Sequence, residues 1–378
     1  MDNNLRYELF NDFIKEFALE QVKPLAAIID EEERFPIETV SKMGKSGLMG
    51  IIIPKAYGGT GGDYKMYINS VREISSYCAT TGAILSCHVS LCTAPIIELG
   101  SEEQKQKYLP KLANGEWIGA FGLTEPNAGT DASNQQTIAI EDGDSYVLNG
   151  TKIFITNAGY AHVYIIFAMT DKSKGIKGIT AFIVESDMPG FSVGKKEAKL
   201  GIRGSSTCEL IFQNVRVPKA NILGQLGEGF KVAMKTLDGG RIGIAAQALG
   251  IAQGALRETI SYVKERKQFG KPLAAFQNTQ FQIADMATQI EAAKLLVERA
   301  IASKENKAKT LSKDAAMAKL FAAETAVMVT SKAVQLHGGY GYSRDYPVER
   351  MMRDAKITEI YEGTSEVQRM VISGAILR

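Results

Sequence analysis

The chain has little of what several large enzyme classes require. Its 378 residues include four cysteines, three histidines and one tryptophan. Four thiols over that length make no disulfide framework. Cys78, Cys87 and Cys92 lie close together, and His88 with Cys92 is spaced to share one helix face. A zinc centre needs two more ligands at workable spacing, and the sequence offers none, so small buried thiols and no metal are expected. Charge of one sign is also lacking: 44 Lys and Arg stand against 42 Asp and Glu, a net charge of +2. No basic stripe or polybasic run points to nucleic acid or an anionic membrane. The opening Met1-Asp2-Asn3-Asn4-Leu5-Arg6 has neither the basic nor the apolar part of a secretory signal. Apolar runs such as Leu48–Ile53 and Val163–Met169 are too short for a membrane span. A cytoplasmic protein is expected.

Glycine is plentiful, at 36 residues, yet no Gly-x-Gly-x-x-Gly follows a strand. Gly59-Thr60-Gly61, Gly227-Glu228-Gly229 and Gly339-Tyr340-Gly341 all fail at the last glycine. A P-loop and a Gly-x-Ser-x-Gly elbow are missing as well. These absences speak against Rossmann dehydrogenases, nucleoside triphosphatases and serine hydrolases.

What is present is a change of hydrophobic period along the chain. Leu5, Leu9, Phe13 and Phe17 recur every four residues, and helical patterns continue to about Trp117. From about Ala120 to Leu223 the period falls to two. Strands are predicted at Thr137–Ile140, Tyr146–Leu148, Thr151–Thr156, Val163–Met169, Ile179–Glu185 and Glu209–Val217, with Asn149-Gly150 as a hairpin turn. Only two of the ten prolines lie beyond Pro218, which suits long helices over Phe230–Lys267, Phe276–Lys304 and Ser312–Leu336, and a shorter one over Thr364–Ile376. The predicted fold class is α+β, with helical residues 1–119, a middle β domain at 120–225 and a helical domain at 226–378.

Six segments carry candidate chemistry: Phe121–Asp131, Lys152–Asn157, Leu237–Arg241, Glu265–Gly270, Gln335–Gly341 and Ile360–Glu366. Singly, each has an ordinary explanation in turn chemistry or helix capping. In this order, over essentially the whole chain, they resemble the acyl-CoA dehydrogenase family, above all its bacterial butyryl-CoA branch. The resemblance implies an N-terminal helical domain, a middle β-barrel domain and a C-terminal four-helix bundle that binds FAD without a Rossmann fold. It implies that Phe121, Leu123, Thr124, Gly129, Thr130, Phe154, Ile155 and Thr156 line the flavin, with Thr364 and Glu366 also at the cofactor. Arg266, Phe269, Gln277, Gln335, Leu336, His337, Gly338 and Gly339 would reach the FAD of a neighbouring subunit in a dimer of dimers. Many relatives carry Trp where Phe154 stands and Ser where Thr130 stands; both changes keep the stacking surface or the hydroxyl.

For the reaction, the resemblance makes Glu362 the base that removes the substrate's α-proton. Thr130, Asp238, Arg241, Tyr361 and Gly363 would contact the acyl-CoA. An ordinary reading of Arg241 is a helix-surface ion pair. Some branches of the family place the base immediately before the arginine that matches Arg241; here that residue is Gly240. Ser365 and Gln368 are spaced as a capping box for the helix that follows. The implied activity interconverts short-chain acyl-CoA and trans-2-enoyl-CoA, with electrons exchanged through an electron-transfer flavoprotein. A reductase of acrylyl-CoA or of an aryl substrate such as caffeyl-CoA shares these motifs. The segment Ala79–Ser90 departs from the butyryl-CoA enzymes at several places, which leaves the acyl group open. An acyl-CoA oxidase usually carries a further C-terminal domain, and a flavin-free adaptor of the same fold would not need Glu362.

Overall fold

The computed structural model describes residues 3–377. Seven helices come first: α1 (Asn3–Phe17), α2 (Ala26–Glu31), α3 (Ile37–Lys45), α4 (Tyr64–Ser75), α5 (Ala79–Ser86), α6 (Ala94–Leu99) and α7 (Glu102–Ala113). Their starts are fixed by side chains where the sequence supplies them. Asp63 accepts the Met66 amide at 2.9 Å to begin α4, and Ser101 with Gln104 forms a reciprocal capping box on α7. Between α5 and α6, Cys87–Thr93 winds as a π-helical turn. The continuous run Ala79–Leu99 is apolar and long enough to cross a membrane, which the shorter runs noted above did not suggest, but it is mostly packed in the interior.

The middle of the chain is a sheet of β1 (Gly119–Gly122), β2 (Ile138–Asp142), β3 (Ser145–Thr156), β4 (Val163–Met169), β5 (Ile179–Glu185), β6 (Phe191–Lys196) and β7 (Thr207–Pro218). The order is β1-β4-β2-β3-β7-β6, with β5 on the far edge of β4; β1 and β4 run parallel and most other pairs antiparallel. The expected hairpin at Asn149-Gly150 is not formed. That dipeptide lies inside one continuous strand, β3, at a bulge opposite β7. A Cβ on Gly150 would lie 2.5 Å from the Thr137 hydroxyl, so the glycine serves close strand approach rather than chain reversal. The reversal sits instead at Asp142–Ser145, where Gly143 has φ +58°. β1 and β6 are strands that the alternation did not reveal.

Five helices complete the chain: α8 (Gly229–Glu265), α9 (Gln277–Glu305), α10 (Leu311–His337), α11 (Val348–Ile357) and α12 (Ser365–Ile376). α11 was not anticipated. α8 is the spine of the molecule, packing on α9, α10 and the N-terminal helices α4 and α5. Glycines make the N-terminal contact possible: a Cβ on Gly250 would meet the Arg72 carbonyl at 2.1 Å, and one on Gly254 the Ser76 carbonyl at 2.2 Å. The helical layers thus meet backbone to backbone.

Candidate active site

Glu362 sits on a short irregular stretch between α11 and α12, in the left-handed region at φ +54°, and Gly363 follows at φ +91°. A non-glycine residue there carries roughly 1–2 kcal/mol of strain. Three groups hold it. The Gln368 side chain donates to the carbonyls of Glu362 at 3.3 Å and Gly363 at 2.7 Å. Lys319 Nζ, from α10, donates to the Gly363 carbonyl at 2.8 Å. The Ser365 amide reaches back to the Glu359 carbonyl at 2.9 Å. The expected Ser365–Gln368 capping box is therefore corrected. Ser365 is already the first helical residue, so Thr364, extended at ψ 167°, becomes the cap and accepts the Val367 amide. Gln368 is left free to brace the Glu362 loop.

The Glu362 carboxyl points inward. As a residue it is half-buried, but its Oε2 is shut off from solvent and has no hydrogen-bond partner. Burial pushes its pKa up, opposed by the positive charges of Lys319 and Arg241, to about 7. Gly240 packs directly against it: a Cβ there would lie 1.9 Å from Oε2 and 2.8 Å from Leu91 Cδ2. The two positions that the resemblance offers for a base, 122 residues apart in sequence, thus meet in one place, and only Glu362 fills it. Tyr361, half-buried, donates its hydroxyl to Gln247 Oε1, and Gln247 in turn donates to the Ala79 carbonyl at 3.0 Å.

Asp238 and Arg241 pair at 2.7 Å on α8, with Asp238 also accepting from the Ser312 hydroxyl. The helix-surface reading fails in its surface part, because both side chains are largely buried and Arg241 Nε has no partner. An arginine held in that way is a fixed cation near Glu362.

The residues expected at the flavin gather on β1, the loop after it and the end of β3. Phe121, Leu123 and Ile155 are buried, Thr124 and Thr156 half-buried, and Gly129 and Thr130 open to solvent. Phe154 is 60% exposed and held at φ +59°, where β3 bulges against β7 between Lys152 and Ile155. A large aromatic presented outward in a strained conformation makes this face a candidate functional surface. The Ile153 amide donates to the Thr124 carbonyl at 2.9 Å, tying strand to loop. Beneath them lies a buried network that the motifs contained but did not interpret. Lys152 pairs with Glu125 at 2.7 Å, donates to the Leu123 carbonyl at 3.2 Å and bonds Gln135, while Glu125 also accepts the Thr137 amide at 3.0 Å. Burial pushes the Glu125 carboxyl up, but the Lys152 charge and the hydrogen bonds outweigh it and hold the group below its usual value.

The remaining cofactor candidates form a second group. Arg266, Gln335, Leu336, His337, Gly338 and Gly339 line a concavity of about 550 Å³ at the C-terminal ends of α8 and α10. Phe269, 93% exposed at φ +51°, and Gln277 at the start of α9 lie outside its lining. Helical rise puts Arg266 roughly 39 Å along α8 from Gly240, so this group and the Glu362 group are separate. Thr364 and Glu366 sit with Glu362 instead, at the start of α12.

The two surfaces suit a dinucleotide flavin. Backbone at Gly129, Gly338 and Gly339 is open, with nothing within 4 Å of where a Cβ would stand. His337 Nε2 is buried and unpartnered in the wall of the concavity, while its Nδ1 is engaged with the Ala333 carbonyl at 2.7 Å. Among the described residues no group of three or more His, Cys, Asp or Glu side chains is placed to hold a metal ion. Cys87 and Cys92 are buried free thiols, and both His88 nitrogens are engaged, with the Leu112 carbonyl and the Gly119 amide.

Comparison with known proteins gives the family of the chain. Models of the acyl-CoA dehydrogenase N-terminal, middle and C-terminal domains match residues 6–116, 120–215 and 227–377. The chain belongs to the acyl-CoA dehydrogenase family. The activity of such a flavoprotein is FAD-dependent dehydrogenation of an acyl-CoA thioester. A short-chain-specific acyl-CoA dehydrogenase of Clostridium acetobutylicum is 61% identical, with both chains covered over 100%. The structure of butyryl-CoA dehydrogenase from Megasphaera elsdenii is 53% identical, with TM-score 0.96 and 98% of each chain covered. A chain from a structure concerned with the electron transferring flavoprotein of Acidaminococcus fermentans is 55% identical, with TM-score 0.97, 98% of this chain covered and 97% of that one.

Proposed function

We propose that this acyl-CoA dehydrogenase acts on short-chain, butyryl-like thioesters with Glu362 as its base, as a cytoplasmic dimer of dimers that exchanges electrons with an electron-transfer flavoprotein. The observation that carries the reading is the unpartnered, solvent-shielded carboxyl oxygen of Glu362, held against Gly240 beside the Asp238–Arg241 pair. With a pKa near 7 the carboxyl is half ionised at neutral pH and strong enough to remove a weakly acidic α-proton. Gly363, at φ +91° with Gln368 and Val367 where a side chain would stand, supports the turn that presents the carboxyl, and the buried Arg241–Asp238 pair beside it supports thioester binding. Bound FAD supplies a two-electron acceptor for the β-hydride. Phe121, Leu123, Thr124, Gly129, Thr130 and Phe154–Thr156 would hold its flavin half. The absence of a nicotinamide motif supports a protein partner for electrons, as does the likeness to the Acidaminococcus chain.

The pH dependence follows from the base. Below about pH 7 the carboxylate is progressively protonated, so anaerobic flavin reduction by butyryl-CoA is expected to fall about tenfold per pH unit on the acid side. Stopped-flow traces across that range check it; a rate flat down to about pH 5 argues for a base other than Glu362.

The distance along α8 between Arg266 and Gly240, which packs on Glu362, supports a shared site, in which Arg266 and Gln335–Gly339 serve a neighbouring copy's cofactor. The protein is expected to purify yellow. Arg266→Ala should release flavin on dilution far more readily than wild type while circular dichroism is unchanged. A flavin-replete monomer in sedimentation would contradict the shared arrangement.

A further inference from the structure

Lys319 is an unusual residue for its place. It lies in the alanine-rich stretch Ala315–Ala323 of α10, and its side chain is fully buried. Among the described residues no carboxylate stands within ion-pair distance of it; its ammonium donates to the Gly363 carbonyl at 2.8 Å. That carbonyl already accepts from Gln368 at 2.7 Å, so it does not need a second donor to be satisfied. Burying an unpaired ammonium costs several kcal/mol, and an apolar residue of similar length would be cheaper there. Some other use must retain it.

We propose that Lys319 is a positioning residue for the base: its buried ammonium anchors the Gly363 carbonyl and supplies a positive field that favours the ionised form of the neighbouring Glu362 carboxyl. The proposal rests on Glu362 being the base. Several features make Lys319 the cation that matters. Glu362 and Lys319 are each the foremost charged influence on the other. Arg241 also faces Glu362, but Asp238 neutralises much of its charge. Glu359 is paired with Lys356 at 2.6 Å, and Glu366 is exposed at the head of α12. Tyr64, Tyr67, Cys87 and Tyr361, the other titratable groups around the carboxylate, stay neutral because burial pushes them all up. Burial likewise lowers Lys319 to about 8, so it is charged in the neutral range where the base must work.

The test follows flavin reduction by butyryl-CoA between about pH 6 and 9 in Lys319→Met, Lys319→Gln and Lys319→Arg holoprotein. Without the charge, the acid limb is expected to move up by about one pH unit. Rates should then fall roughly five- to tenfold at pH 7 and recover at high pH. Lys319→Arg should stay close to wild type. The infrared band of the protonated carboxyl that Glu362→Gln removes should titrate at the same raised value, a readout independent of turnover. Melting temperature should hold or rise in Lys319→Met. A limb that stays put in both the Met and Gln variants, whatever their melting temperatures, overturns the proposal and leaves Lys319 a packing residue. Should Glu362→Gln itself reduce flavin normally, the base assignment fails first; loss there with unmoved Lys319 profiles fails the lysine alone.

Discussion

Glu362→Gln is expected to lose at least ~10²-fold in turnover while keeping the fold, the flavin and thioester affinity, since a positioned base contributes ~10²–10⁴. The amide is nearly isosteric and preserves the backbone contacts of the loop, which run through the carbonyls of Glu362 and Gly363 rather than the side chain. It removes only the basic oxygen. Gly240 leaves no second carboxylate facing the same space to take over. A glutamate that merely favoured the positive start of α12 would instead give a variant within a few-fold of wild type. The measurement is ferricenium-coupled turnover with butyryl-CoA beside flavin content and product-analogue binding.

The second large effect is on stability. Lys152→Ala is expected to cost about 3–5 kcal/mol, the usual consequence of removing one partner from a buried ion pair. Lys152 and Glu125 are almost wholly shielded from water, and no other cation lies within ion-pair distance of the carboxylate among the described residues. The damage should spread to the cofactor surface. Lys152 also holds the Leu123 carbonyl and Gln135, which frame the loop carrying Thr124, Gly129 and Thr130. Replacing both partners, Lys152→Met with Glu125→Gln, should cost much less, because no uncompensated charge remains. Chemical denaturation with parallel flavin-release assays reads this. A single variant within about 1 kcal/mol of wild type would mean that water or neighbouring groups compensate the carboxylate.

Much of the element order was legible from local period and from the proline-poor stretches of α8, α9 and α10. The face was not always: in α1 the recurring Leu5, Leu9 and Phe13 are exposed while Ile14 and Phe17 enter the core, and β4 and β5 are buried on both faces. Asn149-Gly150 misled because glycine serves two ends, a left-handed turn or close strand approach, and only the position of Thr137 decides between them. The short strands β1 and β6 carry too few alternations to register. The expected capping box failed by one residue: Thr364 took the cap and Gln368 the loop.

The site was legible through its motifs, not its energetics. Glu362 and Gly240 stand side by side only because α8 and the loop before α12 pack together. Lys152 lay within a recognised segment, yet nothing local distinguishes a buried lysine from a solvated one on a strand. Lys319 sits among alanines, where a lone lysine reads as the exposed face of a helix. Its meaning comes from the Gly363 carbonyl, 44 residues away, and the Glu362 carboxyl next to it.

The most direct test of the account is anaerobic mixing of the wild-type holoprotein with butyryl-CoA, undeuterated and α-dideuterated, with the flavin band followed by stopped flow. The account predicts bleaching, formation of about one trans-2-enoyl-CoA per FAD, and slower bleaching with the deuterated substrate because Glu362 removes that hydrogen. A flavin that stays oxidised, or bleaches at the same rate with either substrate, would contradict it.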